Sequence, residues 1–291
     1  MRYYILYNPM AGNSSAKEDA VKLAEKLDCS EVDYIDVTTN IDYSSFVPSL
    51  DKDDVLIVMG GDGTLNHFVN ASSGVNIEQE ILYCSGGTGN DFLRDLEKPE
   101  GCEPFSIKKY IERLPSVTVN GKTYKFINNV GFGIDGYCCE VGDKQKAANV
   151  KNINYTGIAV KGLLFHYKPT NATITVDGVE YKYKKVWLAP TMNGRYYGGG
   201  MMAAPEQDRM NPDGTLSVML FYGKGRLSTL LAFPSIFKGE HVKKKNMVAI
   251  HTGKEITVTF DKPAPVQIDG ETIIGVTSYT AYAAARVPSE V

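Results

Sequence analysis

The residues best suited to chemistry in this sequence are glycines that directly follow short apolar runs. Gly60–Thr64 (GGDGT) comes after the apolar run Val55–Met59 and before a segment with helical spacing. Glycines let a backbone approach phosphate oxygens without a Cβ collision, and the start of a helix favours an anion. Asp62 would repel a phosphate, so its carboxylate is expected near Mg²⁺ or a ribose. The segment predicts a phosphate-binding loop, because a plain strand-to-helix turn would need only one glycine.

Two more loops of this kind occur in the first half of the chain. Residues 86–91 (GGTGND) follow the apolar run 81–84, and residues 8–12 (NPMAG) follow the β-rich run 2–7. The carboxyl ends of parallel strands meet at one edge of a sheet. The glycine-rich loops are therefore expected to converge on one crevice.

The second half of the chain carries carboxylates in turn-like segments. Asp269-Gly270-Glu271 ends a β run and is equally compatible with a plain hairpin turn. Residues 211–214 (NPDG) are a turn by default, with a cation site built from Asp213 and adjacent carbonyls as the alternative. Residues 131–136 match G-x-G-x-x-G, but they lie among hairpin signals without a clear βαβ unit, which disfavours dinucleotide binding.

The elements that position these residues differ between the two halves. Up to about residue 117, strand-like runs alternate with amphipathic segments such as 16–27, which predicts a doubly wound parallel α/β sheet. Thr64 is expected to cap the helix after the first loop. From residue 117 onward, Asn-Gly and Asp-Gly pairs separate β runs and predict antiparallel hairpins, interrupted by helical stretches at 154–166 and 227–238. We therefore expect an α/β domain over 1–117 and an antiparallel β-sandwich over 118–291.

Composition excludes several classes of protein. The net charge is −3, with 31 basic and 34 acidic residues, so no broad basic surface for nucleic acid is expected. No apolar run approaches the roughly 20 residues of a membrane-spanning helix. The five cysteines lack C-x-x-C spacing, so neither a zinc site nor a disulfide framework is expected, and a reduced cytoplasmic compartment fits best.

Taken together, these motifs resemble the soluble diacylglycerol kinase and lipid kinase family, which includes sphingosine and ceramide kinases. The similarity runs almost from end to end, through NPMAG (8–12), VMGGDGTLN (58–66), GGTGNDFLR (86–94), INNVGFGIDG (127–136), the segment 196–218 and VQIDGE (266–271). GGDGT alone is shared with NAD kinases, whereas the later segments are more discriminating. The resemblance implies a nucleotide-binding α/β domain, a β-sandwich domain, and an active site in the cleft between them. It also allows the last residues to return to the first domain.

The resemblance further implies the roles of particular residues. The residues expected to contact ATP are Asn8, Pro9, Met10, Ala11, Gly12, Thr38, Gly60, Gly61, Asp62, Gly63, Thr64, Leu65, Asn66, Thr88 and Asn90. A structural Mg²⁺ is expected at Met210, Asp213 and Thr215, the first and third through backbone carbonyls. The catalytic base is Asp269 or Glu271, with Glu271 slightly favoured. Asp62 and Asp135 are candidates near the catalytic Mg²⁺, and Asn13 stands where many relatives carry Lys.

The leading hypothesis is thus an ATP-dependent lipid kinase, most simply a diacylglycerol kinase that produces phosphatidic acid. Two alternatives stay open: a kinase of a soluble hydroxyl compound such as NAD, and a non-enzymatic nucleotide- or lipid-binding regulator. A lipid substrate implies peripheral membrane association, for which the apolar stretch 227–237 with Lys238 and 243–245 is a candidate and a packed helix is the alternative. A homodimer is compatible with the sequence.

Overall fold

Residues 1–9, 16–27, 31–86, 89–150 and 153–284 are described by a computed structural model of the chain. The chain divides into two units, Met1–Arg113 and Leu114–Val291. The first unit contains a parallel sheet with one antiparallel edge strand, and the second is antiparallel. This confirms the expected α/β and antiparallel β-sandwich classes.

The first unit is built on a five-stranded sheet in the order β2-β1-β3-β4-β5. Its strands are β1 Tyr3–Tyr7, β2 Val32–Asp36, β3 Val55–Gly60, β4 Glu80–Ser85 and the short β5 Phe105–Ser106. Its helices are α1 Ala16–Lys26, α2 Tyr43–Phe46, α3 Asp62–Ala71, α4 Asp91–Asp95 and α5 Lys108–Ile111, with a 3-10 turn at Val47–Ser49. Strand β3 is buried along its whole length, as a central parallel strand must be.

Helix α3 begins earlier than the sequence analysis expects. Gly61, rather than Thr64, is the residue that caps it, and Thr64 is buried within its first turn. The expected N-cap at Thr64 is therefore wrong. The chain can enter the helix directly from β3 because Gly61 adopts the extended backbone conformation of an N-cap (φ −96°, ψ −170°).

The second unit is a ten-stranded antiparallel sheet. Eight strands follow the order β15-β14-β11-β8-β16-β17-β6-β7, and β9 joins β16 to β10. Its main strands are β6 Ser116–Val119, β7 Lys122–Lys125, β8 Asn129–Gly133, β9 Thr170–Val176, β10 Val179–Val186, β11 Leu188–Met192, β14 Leu216–Phe221, β15 Val248–Gly253, β16 Glu255–Ile268 and β17 Glu271–Tyr282. A separate small hairpin pairs β12 Tyr196–Tyr197 with β13 Met201–Met202.

The helical parts of this unit agree with the sequence analysis except in one place. They are α6 Ile134–Ala147, α7 Tyr155–Lys161, a π-turn at Gly162–His166, α8 Arg226–Ala232, and 3-10 segments at Phe233–Lys238 and Glu240–Lys243. Helix α6 is not expected from the sequence. A buried cluster of the unit, which includes Leu163, Trp187, Met219 and Ile236, brings these helices together with the sheet.

Candidate active site

The ends of three neighbouring strands bring the predicted loops of the first unit together. Strand β1 pairs in parallel with β3, Tyr7 opposite Met59, and β3 pairs with β4, Gly60 opposite Ser85. Asn8, Gly61 and Gly86 therefore leave the sheet side by side at its carboxyl edge. This edge carries the loops that the sequence analysis expects to converge.

Two glycines of the first loop are required by packing within the protein. The Gly60 carbonyl accepts hydrogen bonds from the Tyr83 hydroxyl at 2.8 Å and from the Gly86 amide at 3.1 Å. A Cβ added at Gly61 would lie 2.7 Å from the carbonyl oxygen of Gly89. A Cβ at Gly60 would collide with the Thr64 side chain in α3, and one at Gly61 would push the two loops apart, so both glycines serve the fold.

Gly63 and Gly89 have no such explanation. Neither has a positive φ, and a Cβ added at either would meet no atom of a described residue within 4 Å. Both residues are exposed at the edge where the loops meet. Neither backbone strain nor packing against the described residues explains why these positions are glycine. A ligand that lies directly against the backbone would explain it, because it leaves no room for a side chain.

Asp62 connects the two loops through its carboxylate. Its two oxygens accept hydrogen bonds from the amides of Asp91 at 2.7 Å and Phe92 at 3.1 Å, and its own amide donates to the Gly89 carbonyl at 2.8 Å. Since the first amides of a helix lack partners within the helix, Asp62 caps α4 from a neighbouring element. The sequence analysis foresees a ligand of Mg²⁺ or ribose, and the structure adds this structural role.

The remaining expected ATP contacts of the first unit are distributed between surface and interior. Thr38 is exposed just beyond β2, where its amide and hydroxyl both donate to Asp36 at 2.8 and 2.6 Å. Asn8, Pro9 and Asn90 are half-buried at the loop edge.

Thr64, Leu65 and Asn66 are buried in α3. Leu65 is wholly inaccessible, so only its backbone could face a nucleotide. Met10, Ala11, Gly12 and Thr88 lie outside the described residues.

In the second unit, the Asp269-Gly270 pair forms the turn of the β16–β17 hairpin. Both residues have positive φ, +46° and +96°, as a tight hairpin turn with this twist requires. The Asp269 carboxylate accepts three backbone amides, those of Ile127 at 2.5 Å, Asn128 at 2.8 Å and Asn129 at 2.9 Å. Three of the roughly four lone-pair positions of the carboxylate are thus used to hold the segment 127–129.

Glu271 is placed differently. It is the first residue of β17, pairs with Ile268 across the turn, and its side chain is exposed. Of the two carboxylates in this element, Glu271 is thus the one available to accept a proton from a substrate.

A buried acid lies behind the same turn. Asp135 accepts a hydrogen bond from its neighbour Gly136 at 2.9 Å and from the Gln267 side-chain amide at 3.3 Å. The side-chain oxygen of Gln267, Oε1, in turn accepts a hydrogen bond from the Gly270 amide at 2.9 Å. Burial raises the pKa of Asp135 to about 6, although both hydrogen bonds lower it. Asp135 thus contacts the turn through the Gln267 side chain.

The G-x-G-x-x-G match at 131–136 is explained by packing. A Cβ at Gly131 would lie 2.5 Å from Asp135 Oδ2, and Gly133 has φ +124° with the Trp187 carbonyl against it. Gly136 packs against the Pro265 carbonyl. The three glycines let α6 lie close to β11 and β16.

The loop expected to hold Mg²⁺ is closed by its own hydrogen bonds. The Asn211 side chain donates to the carbonyls of Asp208 at 2.7 Å and Thr215 at 3.0 Å, and the Thr215 carbonyl also accepts Gln207 Nε2 at 2.8 Å. Both lone pairs of the Thr215 carbonyl are thus in use. Asp213 remains exposed, and no cluster of three metal-ligating side chains occurs within the described ranges. The expected Mg²⁺ site therefore stays a prediction, with Asp213 as its exposed side chain and the Thr215 carbonyl bonded within the loop.

Three buried polar residues near the Asp269 turn are not assigned a role by the sequence analysis. Arg209 donates to the Ile127 carbonyl at 3.3 Å and to Asn128 Oδ1 at 3.0 Å, and Asn193 Nδ2 donates to the same Ile127 carbonyl at 2.8 Å. They hold the segment whose amides bind Asp269. Asn128 and Arg209 lie in segments that carry the family resemblance, whereas Asn193 lies just before such a segment and only its Asn-Gly turn draws attention to it.

Two family models match the chain. Residues 2–119 match the diacylglycerol kinase catalytic domain, and residues 128–287 match the YegS C-terminal NAD kinase beta sandwich-like domain. The second match alone covers more than half of the chain.

Similar proteins agree with these models. The chain is 25% identical to "Diacylglycerol kinase" of Mycobacterium tuberculosis, with 91% of this chain and 87% of that protein covered. It is 31% identical to "Putative lipid kinase SERP0390" of Staphylococcus epidermidis, with 82% and 75% covered. A crystal structure of a diacylglycerol kinase from Bacillus anthracis shares the fold, with a TM-score of 0.66 at 22% identity over 100% of this chain and 98% of that chain.

Proposed function

Because the chain belongs to the family of diacylglycerol kinases and related lipid kinases, we propose that it is an ATP-dependent lipid kinase. It transfers the γ-phosphate of ATP to the hydroxyl of a lipid, with diacylglycerol as the substrate and phosphatidic acid as the product. The proposal assigns ATP to the loops of the first unit and the proton acceptor to the second.

The observation that carries the proposal is the exposed glycine backbone at the loop edge. Gly63 and Gly89 leave room where a side chain would otherwise stand. Gly63 belongs to the first turn of α3, whose amides and dipole favour phosphate oxygens. This is the arrangement that a triphosphate needs, and packing among the described residues does not account for it.

The chemical step is an in-line displacement. The lipid hydroxyl attacks the γ-phosphorus, the bond to the β–γ bridging oxygen breaks, and ADP leaves with that electron pair. Glu271 takes the proton of the attacking hydroxyl, and Asp269 holds the turn. Such general-base assistance is worth typically 10²–10⁴-fold in rate.

Magnesium enters the proposal at two places. ATP is bound as its magnesium complex, which neutralises phosphate charge. A second ion would be held by Asp213 and the Met210 carbonyl with water, since Mg²⁺ in proteins usually keeps several waters. No step of the proton transfer depends on this second ion.

A lipid substrate also implies access to a membrane. No helix among the described residues is long and apolar enough to cross a bilayer. We therefore propose peripheral association with the cytoplasmic face of a membrane.

The nucleotide assignment is tested by Gly63→Ala. Because the added methyl group meets no described atom, we expect a folded protein whose affinity for ATP falls at least 10-fold by calorimetry. Gly225→Ala is the matched control, since Gly225 also has open space and a negative φ but lies outside the loops. Unchanged ATP binding by Gly63→Ala would remove the nucleotide from this edge.

The reaction is tested with γ-labelled ATP. Label should pass to dispersed diacylglycerol and not to NAD. Transfer to NAD instead would establish a soluble-substrate kinase, and ATP binding without transfer to any lipid would leave a regulator. Either result would overturn the proposal.

A further inference from the structure

Helix α8 exposes two leucines on one face. Leu227 is 66% exposed and Leu231 is 74% exposed, and residues four apart lie one above the other on a helix. Thr229 and Ala232 are buried and hold the opposite side of the helix against the unit. The leucines therefore contribute nothing to the core of the described protein.

A neighbouring turn adds a third large side chain. The π-turn Gly162–His166 packs against α8, and Arg226 Nη1 donates to the Leu163 carbonyl at 2.9 Å. Leu163 is buried, whereas Phe165 is 70% exposed. We call Phe165, Leu227 and Leu231 the apolar surface. Single exposed apolar residues are ordinary, but three on two packed elements usually mark an interaction site.

The two segments that carry the apolar surface have charges of one sign, whereas helix α6, which packs against the π-turn, carries Glu140 and Asp143 paired with Lys144 and Lys146. Segments 153–170 and 222–239 contain Lys161, Lys168, Lys224, Arg226 and Lys238 and no Asp or Glu, although the whole chain is acidic with a net charge of −3. Lys161, Lys168 and Lys238 are exposed. A partner that fits this surface has an apolar interior, which accepts the three large side chains, and anionic groups at its surface, which pair with the lysines. An anionic lipid bilayer has both properties.

We propose that Phe165, Leu227 and Leu231 insert into an anionic bilayer while the surrounding lysines contact its headgroups. The inference rests on the proposed function, since a lipid substrate is what brings the protein to a membrane. The surface itself is argued from exposure, packing and charge.

The apolar part is tested by cosedimentation with vesicles of phosphatidylcholine containing phosphatidylglycerol. The parent protein should bind them, and Phe165→Ser/Leu227→Ser/Leu231→Ser should bind about 100-fold more weakly, because three large side chains lose their burial. Val179→Ser is the matched control, since Val179 is 54% exposed on the β9–β10 hairpin, away from the basic segments. Equal binding by parent and triple variant, or equal loss in the control, would overturn the proposal.

The electrostatic part uses Lys161→Gln/Lys168→Gln. Because each cation near such a surface contributes about fivefold in binding, this variant should bind anionic vesicles about 25-fold more weakly and pure phosphatidylcholine vesicles as the parent does. If the triple variant unfolds, the Lys161→Gln/Lys168→Gln variant still tests membrane binding. Sedimentation equilibrium tests the alternative that a second copy of the chain covers the apolar surface. If the parent is a dimer, the triple variant is a monomer and vesicle binding is unchanged, the surface is an interface between two copies and membrane docking is refuted.

Turnover of a water-soluble, short-chain diacylglycerol separates this proposal from the proposed function. The triple variant should phosphorylate it at the parental rate. A parent that phosphorylates it but ignores vesicles would refute docking alone. A parent that binds vesicles through the apolar surface but phosphorylates no lipid would refute the kinase assignment alone.

Discussion

The two carboxylates of the Asp269-Gly270-Glu271 element should respond differently to removal of their charge. Asp269 accepts three backbone amides, whereas Glu271 is exposed. We expect Asp269→Asn to lower stability and Glu271→Gln to lower activity while leaving stability unchanged. The comparison separates a structural carboxylate from a catalytic one within three residues of sequence.

The magnitude for Asp269→Asn follows from its hydrogen bonds. Asn has one acceptor oxygen, and its NH₂ group would face an amide donor, so at least one amide loses its partner. Bonds to a charged group contribute about 1.5–3 kcal/mol each, and a buried unsatisfied donor costs about 1–3 kcal/mol. We therefore expect the free energy of unfolding to fall by about 3 kcal/mol, which corresponds to a drop in melting temperature of roughly 6–12 °C.

For Glu271→Gln, kcat should fall about 100-fold or more, because general-base catalysis is lost. Its unfolding free energy should remain within about 0.5 kcal/mol of the parent, as is usual for exposed positions. ATP affinity by calorimetry should not change in either variant. Glu255→Gln, an exposed carboxylate at the start of the same hairpin, is the control for both measurements.

The assay pairs urea unfolding with turnover of diacylglycerol by labelled ATP. Parental kcat in Glu271→Gln would show that the base lies elsewhere. A stable but inactive Asp269→Asn would mean that Asp269 acts in the reaction and that its three amide bonds contribute little to folding.

Three further predictions follow from the same structure. Asp62→Ala should lower the free energy of unfolding by about 2 kcal/mol in urea, because two amides of α4 lose their acceptor; parental stability would show that those amides find another partner. The pKa of Asp135 is raised from its ordinary value of 3.8 to about 6 in the folded protein, so the native state retains a proton that the unfolded state has released. Stability should thus fall by about 2 kcal/mol as the pH rises from 4 to 6, and Asp135→Asn should abolish this slope in unfolding curves; a persisting slope would assign it to another group. Added Mg²⁺ should raise the melting temperature of the parent more than that of Asp213→Ala, because an ion that binds only the native state stabilises it; equal shifts would leave the loop a turn without a metal.

Local patterns predict much of the fold. Continuous apolar runs identify β3 and β4, and the Asn120-Gly121, Asp177-Gly178 and Asp269-Gly270 pairs all form hairpin turns with positive φ. These features depend on a few adjacent residues, so the sequence contains the full information. Convergence of the loops follows from the geometry of parallel strands.

Features that depend on distant partners are harder to predict. Helix α6 is missed because Gly136 and Gly142 interrupt it, and each is required by a neighbour, Pro265 and Tyr155. Strand β16 runs continuously through Pro263 and Pro265, where its pairing register shifts, although prolines normally mark the end of a strand in a sequence. In the site, the role of Asp269 depends on amides about 140 residues earlier. Nothing near Asp269 in sequence reveals them.

The position of β16 and β17 within the sheet has a consequence for synthesis of the protein. They are the last two strands of the described chain, yet they lie in the middle of the sheet, where β16 pairs with β8 and β17 with β6. On the ribosome, β6 and β8 therefore emerge long before their partners, and their unpaired edges stay open to other chains. We expect nascent chains to depend on chaperones until Tyr282 has left the exit tunnel. Truncation before β16 should yield aggregates rather than a smaller soluble fragment.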